Sequence, residues 1–286
     1  MKKRTKITGL VIILIILAVW GVKTYRELQK PAIGLIKVEG GITSSLDSLE
    51  TIKKYEDDES IKAVLVRIDS PGGIVGPSQE IYQRLLKLKG KKPIIVSMGA
   101  LGASGAYYIA CAADTIYALP GTLTGSIGVM MEFVDLSEGI AKLGIKAGSI
   151  TSGSLKDAGS PFRPMTEAER AYFQDVIDDS HDQFVEAVAK GRRLPLDKVR
   201  ELANGRIYTG RQAQKLGLID RLGGYDQALE EAKRLAGITG EPRIVQPAEQ
   251  LGFFELAGRF LDGYAPQSLK TGGGSLRTVR LEYRMF

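Results

Sequence analysis

Ser104 is the first residue in the chain whose setting suggests chemistry. It follows the bend Met98-Gly99-Ala100-Leu101-Gly102-Ala103 and precedes Gly105-Ala106-Tyr107-Tyr108. Residues 93–97 form a β-branched run that reads as a buried strand, and residues 104–112 read as a helix. A tight strand-to-helix turn exposes a hydroxyl, and small neighbours let a second backbone come close, as a nucleophilic serine requires. The same pattern also describes a helix N-cap, where serine is a preferred residue. Three other positions bear on that choice. Pro71-Gly72-Gly73 ends a strand, where a glycine either makes a turn or lets a backbone N–H face a site. Ser126 lies in the small-residue bend Gly121-Thr122-Leu123-Thr124-Gly125-Ser126-Ile127-Gly128, and Lys156 lies in the middle of a loop rich in Ser, Gly and Pro at 151–163. The N–H of Gly105, at a helix start, is a natural oxyanion donor.

The choice of base is narrow. His181 is the only histidine, so a serine–histidine–aspartate triad would have to recruit it. It borders the apolar stripe Phe173, Val176, Ile177, Phe184 and Val188, which makes it a helix-flank residue. Any base for Ser104 is therefore of another type. The only cysteine, Cys111, reads as a small buried hydrophobe, and no Cys/His spacing suggests a metal site. No cofactor or metal is expected. Ser70, beside Pro71, reads as a turn residue.

The net charge of +6 comes entirely from the first thirty residues, where Lys2, Lys3, Arg4, Lys6, Lys23, Arg26 and Lys30 face only Glu27. The rest of the chain is balanced, so nucleic acid is not an expected partner. Residues 7–22 carry no charge and follow a basic N-terminus. Trp20 stands where a signal-peptide cleavage site needs a small residue, so an uncleaved anchor over residues 7–23 is expected. The basic residues keep 1–6 cytoplasmic and put the body on the outer face.

After a polar stalk at 24–31, strands are expected at 32–38, 63–68, 93–97, 115–119 and 145–149. Helices are expected near 44–56, 104–112, 135–143 and 196–203, with a closing helix at 225–235. The segment after Pro71-Gly72-Gly73 carries the helical face Ile81, Tyr82, Leu85 and Leu88. Thr166-Glu167-Ala168-Glu169 is a capping box for a long helix. Strands alternating with helices indicate an α/β fold built on a largely parallel sheet. One catalytic domain spans 32–240, and 241–286 form an extension with a basic tail from Lys270.

Asp69-Ser70-Pro71-Gly72-Gly73, Gly102-Ala103-Ser104-Gly105-Ala106-Tyr107-Tyr108 and Thr124-Gly125-Ser126-Ile127-Gly128-Val129 together resemble the short form of the signal peptide peptidase A family. Ser154-Leu155-Lys156-Asp157, Gly205-Arg206-Ile207-Tyr208-Thr209-Gly210 and Gly217-Leu218-Ile219-Asp220 extend the resemblance in the same order. It covers residues 33–235. The family comprises membrane-bound bacterial serine proteases with the Clp-protease/crotonase fold, a repeated ββα spiral, here with a helical C-terminal extension. The resemblance implies a Ser/Lys dyad: Ser104 as nucleophile, Lys156 as base, Ser126 orienting the lysine, and Gly73 and Gly105 N–H groups as oxyanion donors. Gly72 is the alternative to Gly73. It also implies short peptides such as signal peptide remnants as substrates, and a ring-like homo-oligomer in which a neighbour completes each site. A lysine acts as a base only when neutral, which requires moving it from about 10.4 toward about 7–8, roughly 4 kcal/mol of desolvation. Lys156 is thus expected to be covered in the assembly, with Asp69 and Asp157 paired elsewhere and Lys142 and Lys146 as alternative bases. The competing readings are a crotonase-type acyl-CoA hydratase or isomerase and a non-catalytic membrane scaffold.

Overall fold

Three β-branched runs form the centre of the molecule. β1 (Ala32–Glu39), β2 (Ile61–Ser70) and β3 (Ile94–Ala103) lie side by side in parallel, and nearly every residue of their middle stretches is buried. The computed structural model describes residues 20, 21 and 30–247. The anchor at 7–23 falls almost wholly outside those residues, as does the tail beyond 247. Among the described residues no helix is long and apolar enough to cross a membrane.

Helices α1 (Leu46–Asp57), α2 (Val75–Lys89) and α3 (Gly105–Ala110) follow β1, β2 and β3 in turn. The sheet has eight strands, in the order β6-β5-β3-β2-β1-β8, with β4 (Thr115–Ala118) and β7 (Arg221–Leu222) branching from β3. All pairings are parallel except that of β5 (Leu123–Gly125) with β6 (Ile207–Thr209). This is the expected helix-covered, largely parallel α/β sheet. β8 (Arg243–Val245) pairs with β1, so the sheet takes in residues beyond 240. Tyr55 of α1 secures that edge by donating to both Leu35 O, at 3.0 Å, and Val245 O, at 2.8 Å.

The two sheet faces are separated by the period-2 alternation of the strands. Ile36, Val64, Val66, Ile94 and Val96 pack toward α1, α2 and α3, while Ile33, Leu35, Ala63, Leu65 and Ile95 pack beneath Ala228 and Ala232. The latter belong to α8 (Tyr225–Leu235), whose bounds are those the sequence predicts. Between them lie α4 (Ser137–Lys142), α5 (Glu167–Arg192), α6 (Leu196–Leu202) and α7 (Gly210–Lys215). The Thr166/Glu169 capping box opens α5, which runs for 26 residues.

Two local expectations are corrected. The bend at Met98–Ala103 is extended strand, because β3 carries on past a register slip and finds a second partner. The strand expected at 145–149 does not form: those residues are exposed and lie against no sheet edge.

Candidate functional site

The slip in β3 is what delivers Ser104. Ile68 of β2 pairs with Met98, but Ser70 pairs with Gly102, so β3 carries two extra residues between these points. The Asp69 carboxylate fills the bulge, accepting from the N–H groups of Ala100 at 3.3 Å and Leu101 at 3.1 Å. A side chain at Gly99 would collide with that carboxylate, its Cβ only 2.5 Å from Oδ2. Thr122 Oγ1 donates to Gly99 O and Thr124 Oγ1 to Gly102 O. Before the bulge β3 pairs with β4; after it, Leu101–Ala103 pair with β5. Bulges re-aim strands in this way beside active sites. Asp69 thus pairs away from the site.

Ser104 continues the ladder by donating its N–H to Gly125 O at 2.9 Å, then turns sharply into α3. Its φ of 54° and ψ of −127° lie where side-chain-bearing residues rarely sit, a strain of about 1–3 kcal/mol held by the surroundings. α3 is well anchored. Tyr107 is fully buried and donates to Leu218 O at 2.7 Å, and Tyr108 packs between Tyr82 and Phe184. Ser104 itself is half-buried, and its hydroxyl has no hydrogen-bond partner among the described residues.

The Pro71-Gly72-Gly73 strand end lies against this elbow. Gly72 has φ +97°, and a Cβ there would lie 2.6 Å from the Gly105 nitrogen and 2.9 Å from Ala103 O. Ile42 straps the segment, donating to Gly72 O at 2.9 Å and accepting from Ile74 N–H at 2.8 Å. The Gly72 N–H is used internally, donating to Ser70 Oγ at 3.1 Å, while that hydroxyl donates to Gly40 O at 2.6 Å. Ser70 is accordingly not the expected turn residue but the fully buried last residue of β2, its hydroxyl engaged within the strand end. Neither the Gly73 N–H nor the Gly105 N–H meets an acceptor among the described residues. A Cβ on Gly105 would come within 3.4 Å of the Gly73 nitrogen, so these two backbone segments lie side by side next to Ser104.

Ser126 follows β5, also at positive φ (50°), and its N–H donates to Arg206 O at 2.9 Å. The Gly205–Gly210 motif holds that turn. Gly205 N–H donates to Ile127 O at 3.0 Å, and the Tyr208 ring covers Gly125 so closely that a Cβ there would lie 2.5 Å away. Its role as a clamp on β5 was not evident from the motif alone.

The structure brings Ser104, Gly72, Gly73, Gly105 and the turn before Ser126 together; Lys156 makes no hydrogen bond to any of them. Lys156 is exposed, with no side-chain hydrogen bond to Ser104 or Ser126 in the single chain. Its turn is tied to the start of α5. Arg163 donates to Asp157 Oδ2 at 3.0 Å and to Asp157 O at 2.9 Å, and it grips Glu169 with both guanidinium nitrogens. Asp157 therefore pairs away from Lys156. α3 meets α5 much further along, at Phe184 beside Tyr108 and at Gly191 against Cys111. Lys142 and Lys146 are also exposed.

The remaining candidates fall away. Burial pushes the Cys111 thiol up to about 12, which leaves it protonated and unreactive. His181 is half-buried on α5, its Nε2 buried without a partner among the described residues. Among the described residues no three His, Cys, Asp or Glu side chains converge as a metal site.

The sequence profile described as Peptidase family S49 matches residues 87–239, which contain Ser104, Ser126 and Lys156. A putative protease of Synechocystis is 43% identical over 77% of this chain and 79% of its own length. A putative signal peptide peptidase SppA of Enterococcus faecium is 38% identical over 72% of this chain and 60% of its own. Protease 4 of Haemophilus influenzae is 37% identical over 71% of this chain, which spans 34% of that longer protein.

Proposed function

The chain belongs to peptidase family S49, and from that premise we propose that it is a membrane-anchored serine endopeptidase with a Ser104/Lys156 dyad. The observation that carries the reading is the elbow itself: a strained, accessible Ser104 flanked by the unused N–H groups of Gly73 and Gly105. Lys156 takes the Ser104 proton as the hydroxyl oxygen attacks a peptide carbonyl carbon. The carbonyl oxygen becomes an oxyanion held by the two N–H groups. The C–N bond breaks, the departing amine takes the proton from Lys156, and water then hydrolyses the serine ester. Gly73 is favoured over Gly72 as donor because Ser70 already occupies the Gly72 N–H. Ser126 orients the amine.

In this reading Lys156 works on the Ser104 of a second copy. An exposed amine cannot serve as the base, and among the described residues Lys156 makes no hydrogen bond to the Ser104 of its own chain. The stretch of chain that leads to Lys156 also exposes large apolar side chains for a second copy to cover, with Met130 at 74%, Leu143 at 76% and Ile145 at 54% exposure. A ring of copies would dry the site and neutralise the lysine. We read the sheet as one turn of the ββα spiral, with β3 shared between β4 and β5. Residues 7–23 are proposed to anchor the chain with its N-terminus cytoplasmic and residues 32–240 outside. Signal peptide remnants are the proposed substrates, by analogy with the Enterococcus relative.

A fluorophosphonate probe tests the nucleophile: labelling should vanish in Ser104→Ala and survive Cys111→Ala. Peptidase activity should fall at least about a thousandfold in Lys156→Ala. Ordinary turnover in that variant would refute the dyad. Release of the full-length chain from membranes by carbonate would refute the anchor.

A further inference from the structure

Arg163 is the most heavily engaged charged side chain near the candidate base. Its guanidinium joins three pieces of chain: its own loop, the Asp157 carboxylate and backbone carbonyl next to Lys156, and the buried Glu169 at the start of α5. Glu169 at the same time closes the capping box, accepting from Thr166 N–H at 2.9 Å. The clamp is therefore continuous with a 26-residue helix whose far end rests on α3. Gly159 completes the turn at φ +77°, packed against the Phe133 and Phe173 rings.

We infer that Arg163 is a positioning residue for Lys156, fixing the lysine-bearing turn on α5 and keeping the Asp157 carboxylate engaged so that it does not stabilise the ammonium form. This rests on the reading of Lys156 as the base. Two physical points support it. A carboxylate one residue from an amine favours the protonated amine unless it is already paired. A planar guanidinium can hold two carboxylates and a carbonyl at once, which a lysine cannot. The charged groups meeting this turn are Asp157 from the turn, Arg163 from the loop end and Glu169 from α5. Phe133 and Phe173 supply its apolar wall, and no described side chain forms an ion pair with Lys156. The Arg163 hydrogen bonds hold Glu169 down at about 2, so that carboxylate stays charged and bound across the working pH range.

The test is the pH dependence of kcat/KM for the full-length protein with a peptide substrate. In Arg163→Gln the acidic limb is expected to move up by about one pH unit. Adding Asp157→Asn should return the limb to its original position while kcat stays low, because the loop remains unclamped. An unmoved limb in a folded Arg163→Gln overturns the inference. Should that variant fail to fold, Arg163→Lys decides: it keeps the charge and loses the fork, so the limb should stay and kcat should fall. A moved limb or an unchanged kcat in Arg163→Lys overturns the inference. Lys156→Ala, measured alongside, separates the two levels. An active Lys156→Ala removes the dyad and this inference with it; an inactive one beside an unmoved Arg163→Gln limb removes only the role of Arg163.

Discussion

Gly72 and Ser104 meet with no room for a side chain between them: a Cβ on Gly72 would lie 2.8 Å from the Ser104 Cβ. The contact joins the end of β2 to the elbow after β3, and so brings a donor-bearing backbone beside the hydroxyl. Gly72→Ala is expected to destabilise the fold by at least about 1–2 kcal/mol, from its φ of +97° together with the clash. Fluorophosphonate labelling should be lost even where the variant stays folded. Gly76, on α2, provides the control, since a Cβ there meets nothing within 4 Å. Gly76→Ala should leave labelling intact and thermal stability equal or higher.

A shared site makes a prediction that a self-contained site does not. Ser104→Ala and Lys156→Ala should each be inactive alone. Dissociated, mixed and reassociated, they should recover activity, with roughly a quarter of the sites intact if copies mix independently around a ring. No recovery after verified mixing would mean that each chain supplies both residues of its own site.

The clamp on β5 can be separated into packing and hydrogen bonding at Tyr208. Its hydroxyl donates to Leu202 O at 3.0 Å and its ring lies over Gly125. Tyr208→Phe should cost about 1 kcal/mol in denaturant unfolding with labelling retained. Tyr208→Ala removes the ring that holds the turn before Ser126, at about 3 kcal/mol or more. Its labelling rate should fall below that of the phenylalanine variant under conditions where both are folded.

Much of this arrangement was legible in the residues themselves. Ser104 at a strand-to-helix seam, the Thr166/Glu169 capping box and the helix at Tyr225–Leu235 all depend on near neighbours, and sequence spacing reports near neighbours. What escaped depends on distant ones. The bulge in β3 exists because Asp69, 31 residues before Ala100 and 32 before Leu101, supplies a carboxylate to their N–H groups. β5 is a strand only because the second half of β3 offers it an edge. Arg163 reads as one more surface charge until Asp157 and Glu169 are seen on either side of it.

The last prediction concerns alkaline stability. Burial pushes Tyr55, Tyr82 and Cys111 each up to about 12 in the folded chain. Unfolded, the thiol titrates near about 8.5 and the phenols near about 10. Their folded values are raised, so the folded state keeps protons that the unfolded state releases. Stability contributed by these groups is fully present below about pH 8.5 and is lost as pH rises toward 12, at about 1.4 kcal/mol per pH unit for each proton retained. Denaturant midpoints should therefore be level through neutrality, begin to fall near pH 9 and fall more steeply above 10. Tyr55→Phe tests one share of that slope. It removes one retained proton, so its midpoint should decline less steeply above pH 10. It should also start lower at pH 7, because Leu35 O and Val245 O lose the donor that ties β8 to β1. A wild-type slope in Tyr55→Phe would show that this phenol titrates in the folded chain as it does in water.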